Sequence, residues 1–238
     1  MTLRIALLMM QKNENFLLDP WITYHRALVE PASIFVYDNG STDPQTLAIL
    51  IAAEESGISV NRDYSRQKDY YDRGIIFANF IKQLDAANPH DFYFPMDCDE
   101  FLACEVDGKP SCQPSNIERT LEKLKDSDKV LTVPHKHVNS PYHQNRYSKI
   151  VWCRKCFFAR DACESLSDGF HEGSSHSGEE RLDSDITYFE FHYKPYPDHQ
   201  RLSRQKIEYL LPDLKRRTLS EYSKTLRSNH HAATALLQ

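Results

Sequence analysis

The first hundred residues alternate short apolar runs with amphipathic stretches. Leu3 to Met10 is continuously apolar, the pattern of a strand buried on both faces. Residues 14–30 carry Leu17, Trp21, Tyr24 and Leu28 on one helical stripe, which predicts a helix. Ser33 to Tyr37 predicts a second strand that ends at Asp38. Asp43 then suits an N-cap, with Pro44 at the first helical position, for a helix to about Ser56 that Gly57 stops. Ile58 to Asn61 predicts a third strand, and residues 67–87 a further helical stretch closed by Asn88-Pro89. Phe92 to Met96 predicts a fourth strand. Strand and helix in regular alternation imply an α/β fold: a mostly parallel central sheet with helices on both faces.

The second half is less regular. Ser115-Asn116-Ile117-Glu118 matches a capping box opening a helix to about Lys125. Residues 128–138 and 149–159 have strand-like patterns, and 161–185 reads as a long polar loop. Thr187 to Tyr193 predicts a last strand, with Phe189, Phe191 and Tyr193 on a core-facing side and Tyr188, Glu190 and His192 on a polar side. A basic helix is predicted over 198–217. Nothing repeats, and no low-complexity linker intervenes. Residues 1–238 are therefore expected to form one domain, in which 221–238 is a tail.

Composition narrows the function. The chain has 238 residues, 40% hydrophobic and 26% charged, as in ordinary globular proteins. A formal net charge of -5 disfavours a nucleic-acid partner. A phosphate-bearing substrate stays compatible where a bound cation supplies positive charge locally. The apolar start, Ile5 to Met10, is too short for a signal peptide or a membrane span. The expected location is cytoplasmic, with association at the inner face of the membrane left open. Cys153 and Cys156 form a CxxC with no second pair at zinc-site spacing, so buried thiols are expected. His135 and His137 are two apart and can share a strand face, but a zinc hydrolase needs three ligands at one site.

The sharpest chemical feature is Asp97-Cys98-Asp99-Glu100, directly after the fourth strand. In open α/β sheets, ligands bind beyond the carboxyl ends of strands. In an extended segment Asp97 and Asp99 would point the same way, and two such carboxylates repel unless a cation lies between them. Hard oxygen donors suit magnesium or manganese. Lys12-Asn13-Glu14 leaves the first strand and Asp38-Asn39-Gly40-Ser41-Thr42-Asp43 the second, so both should face the same cleft. The second of these loops has the carboxylates and amides to bind a nucleoside. Neither a GxGxxG nor a GxxxxGK[ST] phosphate loop is present.

Lys12-Asn13-Glu14, the helical Trp21 and His25, Tyr37 to Asp43 and Met96 to Phe101 occur in that order. The set resembles the family 2-like glycosyltransferases with a GT-A fold, particularly a bacterial subgroup with KNE, DNGSTD and DxDEF motifs. The resemblance covers roughly residues 3–105 and extends to Phe191-His192-Tyr193 and the helix with Lys206. It implies an inverting transfer of a sugar from a nucleoside-diphosphate donor to the hydroxyl of a glycan or lipid-linked acceptor. Surface polysaccharide or lipopolysaccharide synthesis is one setting for such a reaction. Residues 1–105 would form the donor half and 106–220 the acceptor side.

By position, the resemblance implies that Asp38 contacts the base or ribose, with Lys12, Asn13 and Glu14 along the same wall. Asp97 would lie near ribose and metal, Asp99 would ligate Mn2+ or Mg2+, and His192 would be a third ligand or a diphosphate contact. Lys68, Tyr71 and Arg73 would approach the donor. The acceptor hydroxyl needs a carboxylate base, and Asp168 or Glu172, flanking Gly169-Phe170-His171, is expected to supply it. Two other readings compete: a nucleotidyltransferase on a similar sheet, and a carbohydrate-binding protein without turnover.

Overall fold

The computed structural model describes residues 3–152 and 154–210, with 205–210 as backbone alone. Two compact units divide the chain, Met1–His192 and Tyr193–Gln238. In the second, a helix spans Tyr196–Leu210, with Asp198 in its first turn where the helix dipole favours an anion. The expected helix over 198–217 thus starts two residues earlier, and its remainder, with the tail 221–238 and Cys153, lies outside the described residues.

The first unit alternates as expected. Strands β1 (Ile5–Gln11), β2 (Ile34–Asp38), β3 (Ser59–Asn61) and β4 (Phe92–Met96) are separated by helices α1 (Leu18–Arg26), α2 (Pro44–Glu55), α3 (Gln67–Tyr71) and α4 (Arg73–Ala87). Later come β5 (Glu100–Val106), β6 (Lys109–Ser111), α5 (Pro114–Glu122), β7 (Val130–Val133), β8 (Lys136–Asn139) and β9 (Tyr147–Ile150). They are followed by β10 (Lys155–Ala159), β11 (Cys163–Leu166), β12 (Gly173–Ser175), β13 (Arg181–Asp183) and β14 (Ile186–Glu190).

Seven strands form the main sheet in the order β13-β7-β10-β4-β1-β2-β3. It is mostly parallel; only β10 runs against its neighbours β4 and β7. Alternation along β1 explains the apolar run. Ile5, Leu7 and Met9 enter one core with Trp21, Leu50 and Leu121 from α1, α2 and α5. Ala6, Leu8 and Met10 enter the other with Phe77 and Ile81 from α4 and with Leu166 and Phe170. Both faces are dry, so the strand has no polar position until Gln11. At α2 the Asp43 carboxylate accepts from the Thr46 amide at 2.8 Å, the expected cap.

Some expectations are corrected. The helical stretch over 67–87 breaks at Asp72, which ends α3 and precedes α4. Just beyond, a Cβ on Gly74 would lie 2.4 Å from the Leu166 carbonyl oxygen, so only glycine lets α4 approach that segment. The residue capping α5 is Gln113, with Pro114 at the first position, and Ser115 is already helical; the capping box is not formed there. The strand over 128–138 is two strands in different sheets. Pro134 lies between β7 and β8, lacks an amide for the ladder, and marks where the chain changes sheet. The pattern over 149–159 divides likewise into β9 and β10. The polar loop 161–185 contains β11, β12 and β13.

The largest omission is a second, five-stranded sheet, β6-β5-β14-β8-β9. Its start is tied to α1. Trp21 Nε1 donates to the Glu100 carbonyl at 2.9 Å, the Tyr24 hydroxyl to the Leu102 carbonyl at 2.6 Å, and the Leu102 amide to His25 Nε2 at 3.3 Å. These side chains satisfy the β5 backbone where β6, paired only at Cys104–Val106, does not reach. His25 is fully buried with Nδ1 bonded to the Trp21 carbonyl, and burial drops its pKa to about 3. The ring is neutral and structural.

Candidate active site

The carboxyl ends of β1, β2 and β4 lie side by side. Gln11 is level with Asp38, and Met9 with Met96, so the turns after all three strands emerge at one edge. Asp38 and Asp97 therefore flank β1 at the same end of the sheet.

The first two turns interlock. Asn13 has a left-handed backbone (φ 56°), and its side-chain oxygen accepts from the Thr42 and Asp43 amides at 2.8 and 2.9 Å. Ser41 Oγ accepts from the Asn13 amide at 2.9 Å. The buried Asp38 accepts from Gln11 Nε2 at 2.8 Å and from the Ser41 amide at 3.2 Å. Asn39 donates to the carbonyls of Tyr64 and Arg66, and a Cβ on Gly40 (φ 73°) would be 2.8 Å from the Ser65 carbonyl oxygen. Asparagine, glycine and serine here are thus demanded by three segments meeting at close range. Lys12 is half-buried, and Glu14 is buried with its amide on Gln11 Oε1 at 3.2 Å.

The third turn corrects the extended reading of Asp97–Glu100. The Glu100 amide donates to the Asp97 carbonyl at 3.1 Å, and the Asp97 amide to Glu100 Oε2 at 2.9 Å, which closes a tight turn. Asp97 and Asp99 are both half-buried and Cys98 is buried. Positive charge beside Asp97 comes from a residue that the sequence pattern did not single out. Lys155, the first residue of β10, is 3% exposed and reaches Asp97 Oδ2 at 2.6 Å and Glu100 Oε1 at 3.2 Å. Burial pushes its ammonium down, but Asp97 and Glu100 outweigh that and hold it above the usual lysine range. Burial pushes the Glu100 carboxyl up to about 7, with Lys155 opposing and Asp97 and Glu190 reinforcing. A lysine opening the apolar run Lys155-Cys156-Phe157-Phe158-Ala159 was the available signal, since such a charge must find partners when the strand is buried.

Aromatic and charged groups line the same corner. Phe170 (φ 61°, fully buried) has the Arg73 guanidinium 5.3 Å from its ring and the Lys155 ammonium 5.0 Å from it. Arg73 also lies 4.2 Å over the Tyr70 ring. Lys68 is exposed on α3 and pairs with Asp72 at 3.4 Å. Asp168 and Glu172 are exposed in the turn that carries Phe170, where the Ser167 amide bonds the Glu172 carbonyl at 2.8 Å.

β14 brings the late histidine alongside. The Phe191 amide donates to the Asp99 carbonyl at 2.8 Å, so the chain around His192 runs next to the third turn. His192 Nδ1 lies 3.5 Å from Glu190 Oε1, and Lys136 also pairs with Glu190. Burial pushes Glu190 up, but His192 and Lys136 leave it below the usual carboxylate range. Tyr188 is fully buried, contrary to the polar side expected for it, because its face of β14 packs into the core; Phe189 and Phe191 are only half-buried. The Tyr188 hydroxyl has no hydrogen-bond partner among the described residues.

No family model and no curated protein matches the chain. Among solved structures it is similar to that of S. aureus TarS 1-349, at 13% identity and a TM-score of 0.46, over 84% of this chain and 64% of that one. A longer S. aureus TarS structure matches at 11% identity and a TM-score of 0.44, over 87% of this chain and 40% of that one. The chain spans less than two thirds of either, and likeness at this level carries no argument about function.

Proposed function

We propose that the chain is a glycosyltransferase that moves a sugar from a nucleoside-diphosphate donor to an acceptor hydroxyl. The observation that carries this reading is the meeting of three polar turns at the carboxyl ends of β1, β2 and β4, with a buried lysine on Asp97. Such an edge is where open α/β sheets bind ligands. In this reading Asp38 and its loop receive the nucleoside, Lys12, Asn13 and Glu14 form the adjoining wall, and Arg73 and Lys68 lie toward the diphosphate.

The donor set suits a divalent cation: Asp97 and Asp99 on one turn, with His192 two residues past the end of β14, where the chain runs beside Asp99. Two hard carboxylates with one imidazole fit manganese or magnesium. When bound, Mn2+ or Mg2+ supplies Lewis-acid charge to the leaving diphosphate. Lys155 then has a distinct part, holding Asp97 in place and balancing its charge. Asp168 or Glu172 takes the acceptor proton as the new carbon–oxygen bond forms and the bond to the diphosphate breaks. A glycan or lipid-linked acceptor follows from the sequence resemblance, as does inversion.

The test is incubation with a panel of nucleoside-diphosphate sugars and manganese, measuring released nucleoside diphosphate. Asp99→Asn keeps the shape of the turn and removes one charge, so transfer should drop by about 10²–10³-fold with the fold retained. Undiminished turnover in that variant would remove Asp99 from the site. Release of pyrophosphate from a sugar phosphate and a nucleoside triphosphate would instead identify a nucleotidyltransferase.

A further inference from the structure

We propose a second, independent metal site, for zinc or a similar first-row divalent ion, formed by Glu105, His135 and His137. It is separate from the nucleotide-sugar reading and shares no residue with it. One donor atom from each of the three lies within 4.8 Å of those of the other two. His135 Nε2 is 2.7 Å from Glu105 Oε1, and His137 Nε2 is 3.4 Å from the same oxygen. Donors around a tetrahedral zinc, each about 2.0–2.2 Å from the metal, stand roughly 3.3 Å apart, so the side chains are already close to ligating positions.

Sheet register explains the convergence. Phe101, Phe189 and His137 are level across β5, β14 and β8, and so point to one side. Alternation puts His135 and Glu105 on that side too. The site therefore clamps β5 to β8 over the intervening β14. His137 is buried, and among the described residues its Nε2 makes no hydrogen bond of good geometry. A buried imidazole nitrogen held 3.4 Å from a carboxylate oxygen without a well-formed hydrogen bond is what an added cation would satisfy. The ring is held in place by Phe189 at 5.4 Å and stands nearly perpendicular to His135. Two imidazoles and one carboxylate suit zinc, cobalt or iron(II) better than magnesium, and leave a coordination position for water. The half-exposed Lys149 lies 2.8 Å from Glu105 Oε1 and must move aside when the cation enters.

The experiment uses the full chain and metal alone. After dialysis against zinc, the protein should retain one ion here, and zinc at about a hundredfold over its Kd should raise Tm by roughly 5–10 °C. Cobalt substitution should give visible d–d bands without a thiolate charge-transfer band. His137→Gln should weaken zinc binding by more than the roughly 10–100-fold that losing an outer-shell partner of a ligand costs. Lys149→Met, at an exposed position, should tighten it roughly tenfold by removing the competing ammonium. Asp99→Asn should leave zinc at this site unchanged, which separates failure here from failure of the transferase reading. Zinc bound equally by wild type and a His135→Gln/His137→Gln variant would overturn the site. So would a thiolate charge-transfer band, or a Lys149→Met variant that binds no more tightly.

Discussion

Glu100 and Glu105 stand five residues apart on β5 and face opposite sides of the same sheet. Each accepts a lysine, yet the two environments differ. Lys155 at Glu100 is 3% exposed and Glu100 is 2% exposed, whereas Lys149 and Glu105 have side chains 45% and 14% exposed. The first pair lies between the two sheets, where an unpaired charge is costly. The second opens to water at Lys149, whose ammonium is rehydrated if it leaves Glu105. One strand thus carries a buried ion cluster that must stay complete and an open cluster that can exchange partners. The same distinction suits the first for positioning Asp97 and the second for admitting an ion.

The largest expected effect tests the buried side. Lys155→Met leaves Asp97 and Glu100 without their shared cation, and should cost about 3–5 kcal/mol in urea unfolding. Adding Glu100→Gln should recover part of that loss. If Lys155→Met costs under ~1 kcal/mol, the contrast between the two sides disappears.

A smaller effect is a pH slope. The folded-state pKa of Glu100 is raised from 4.5 to about 7, so the folded state holds that proton more tightly. Its contribution is complete below pH 4.5 and is lost as pH rises through about 7, on the order of a few kcal/mol. His25, lowered to about 3, gives the opposite slope, gaining stability as pH rises toward 6.5. The difference between wild type and Glu100→Gln isolates the first term. Unfolding midpoints of the two should diverge between pH 5 and pH 7.5, and parallel curves would mean that Glu100 is ionised throughout.

The smallest effect is on the open side. In metal-free protein, Glu105→Gln should change stability by no more than about 1 kcal/mol, the range of partly exposed ion pairs. A loss as large as that of Lys155→Met would show that the second cluster is as tightly built as the first.

Much of the first half was legible in the sequence. The apolar run of β1 and its helix spacing follow from a strand buried on both faces and a helix buried on one. Asp43 and Pro44 signal a helix start through local geometry alone. The turns with Asp38 and Asp97 were legible as well, because parallel strands linked by helices must end at one edge. Less visible was what each turn residue does: Asn13 caps the loop of Asp38 across the sheet, a contact between residues nearly thirty positions apart.

The sequence by itself determined the alternating α/β half, the edge at which its polar turns collect, and the chemical type of the groups there. Only tertiary structure decided that Lys155 sits on Asp97, that Glu190 faces Glu100, and that Glu105 joins His135 and His137. These pairings depend on strand order and register between segments 30 to 90 residues apart. Local periodicity fixes which way a side chain points from its own strand. It does not fix which strand lies beside it, because that is set by how two sheets and their helices jointly exclude water.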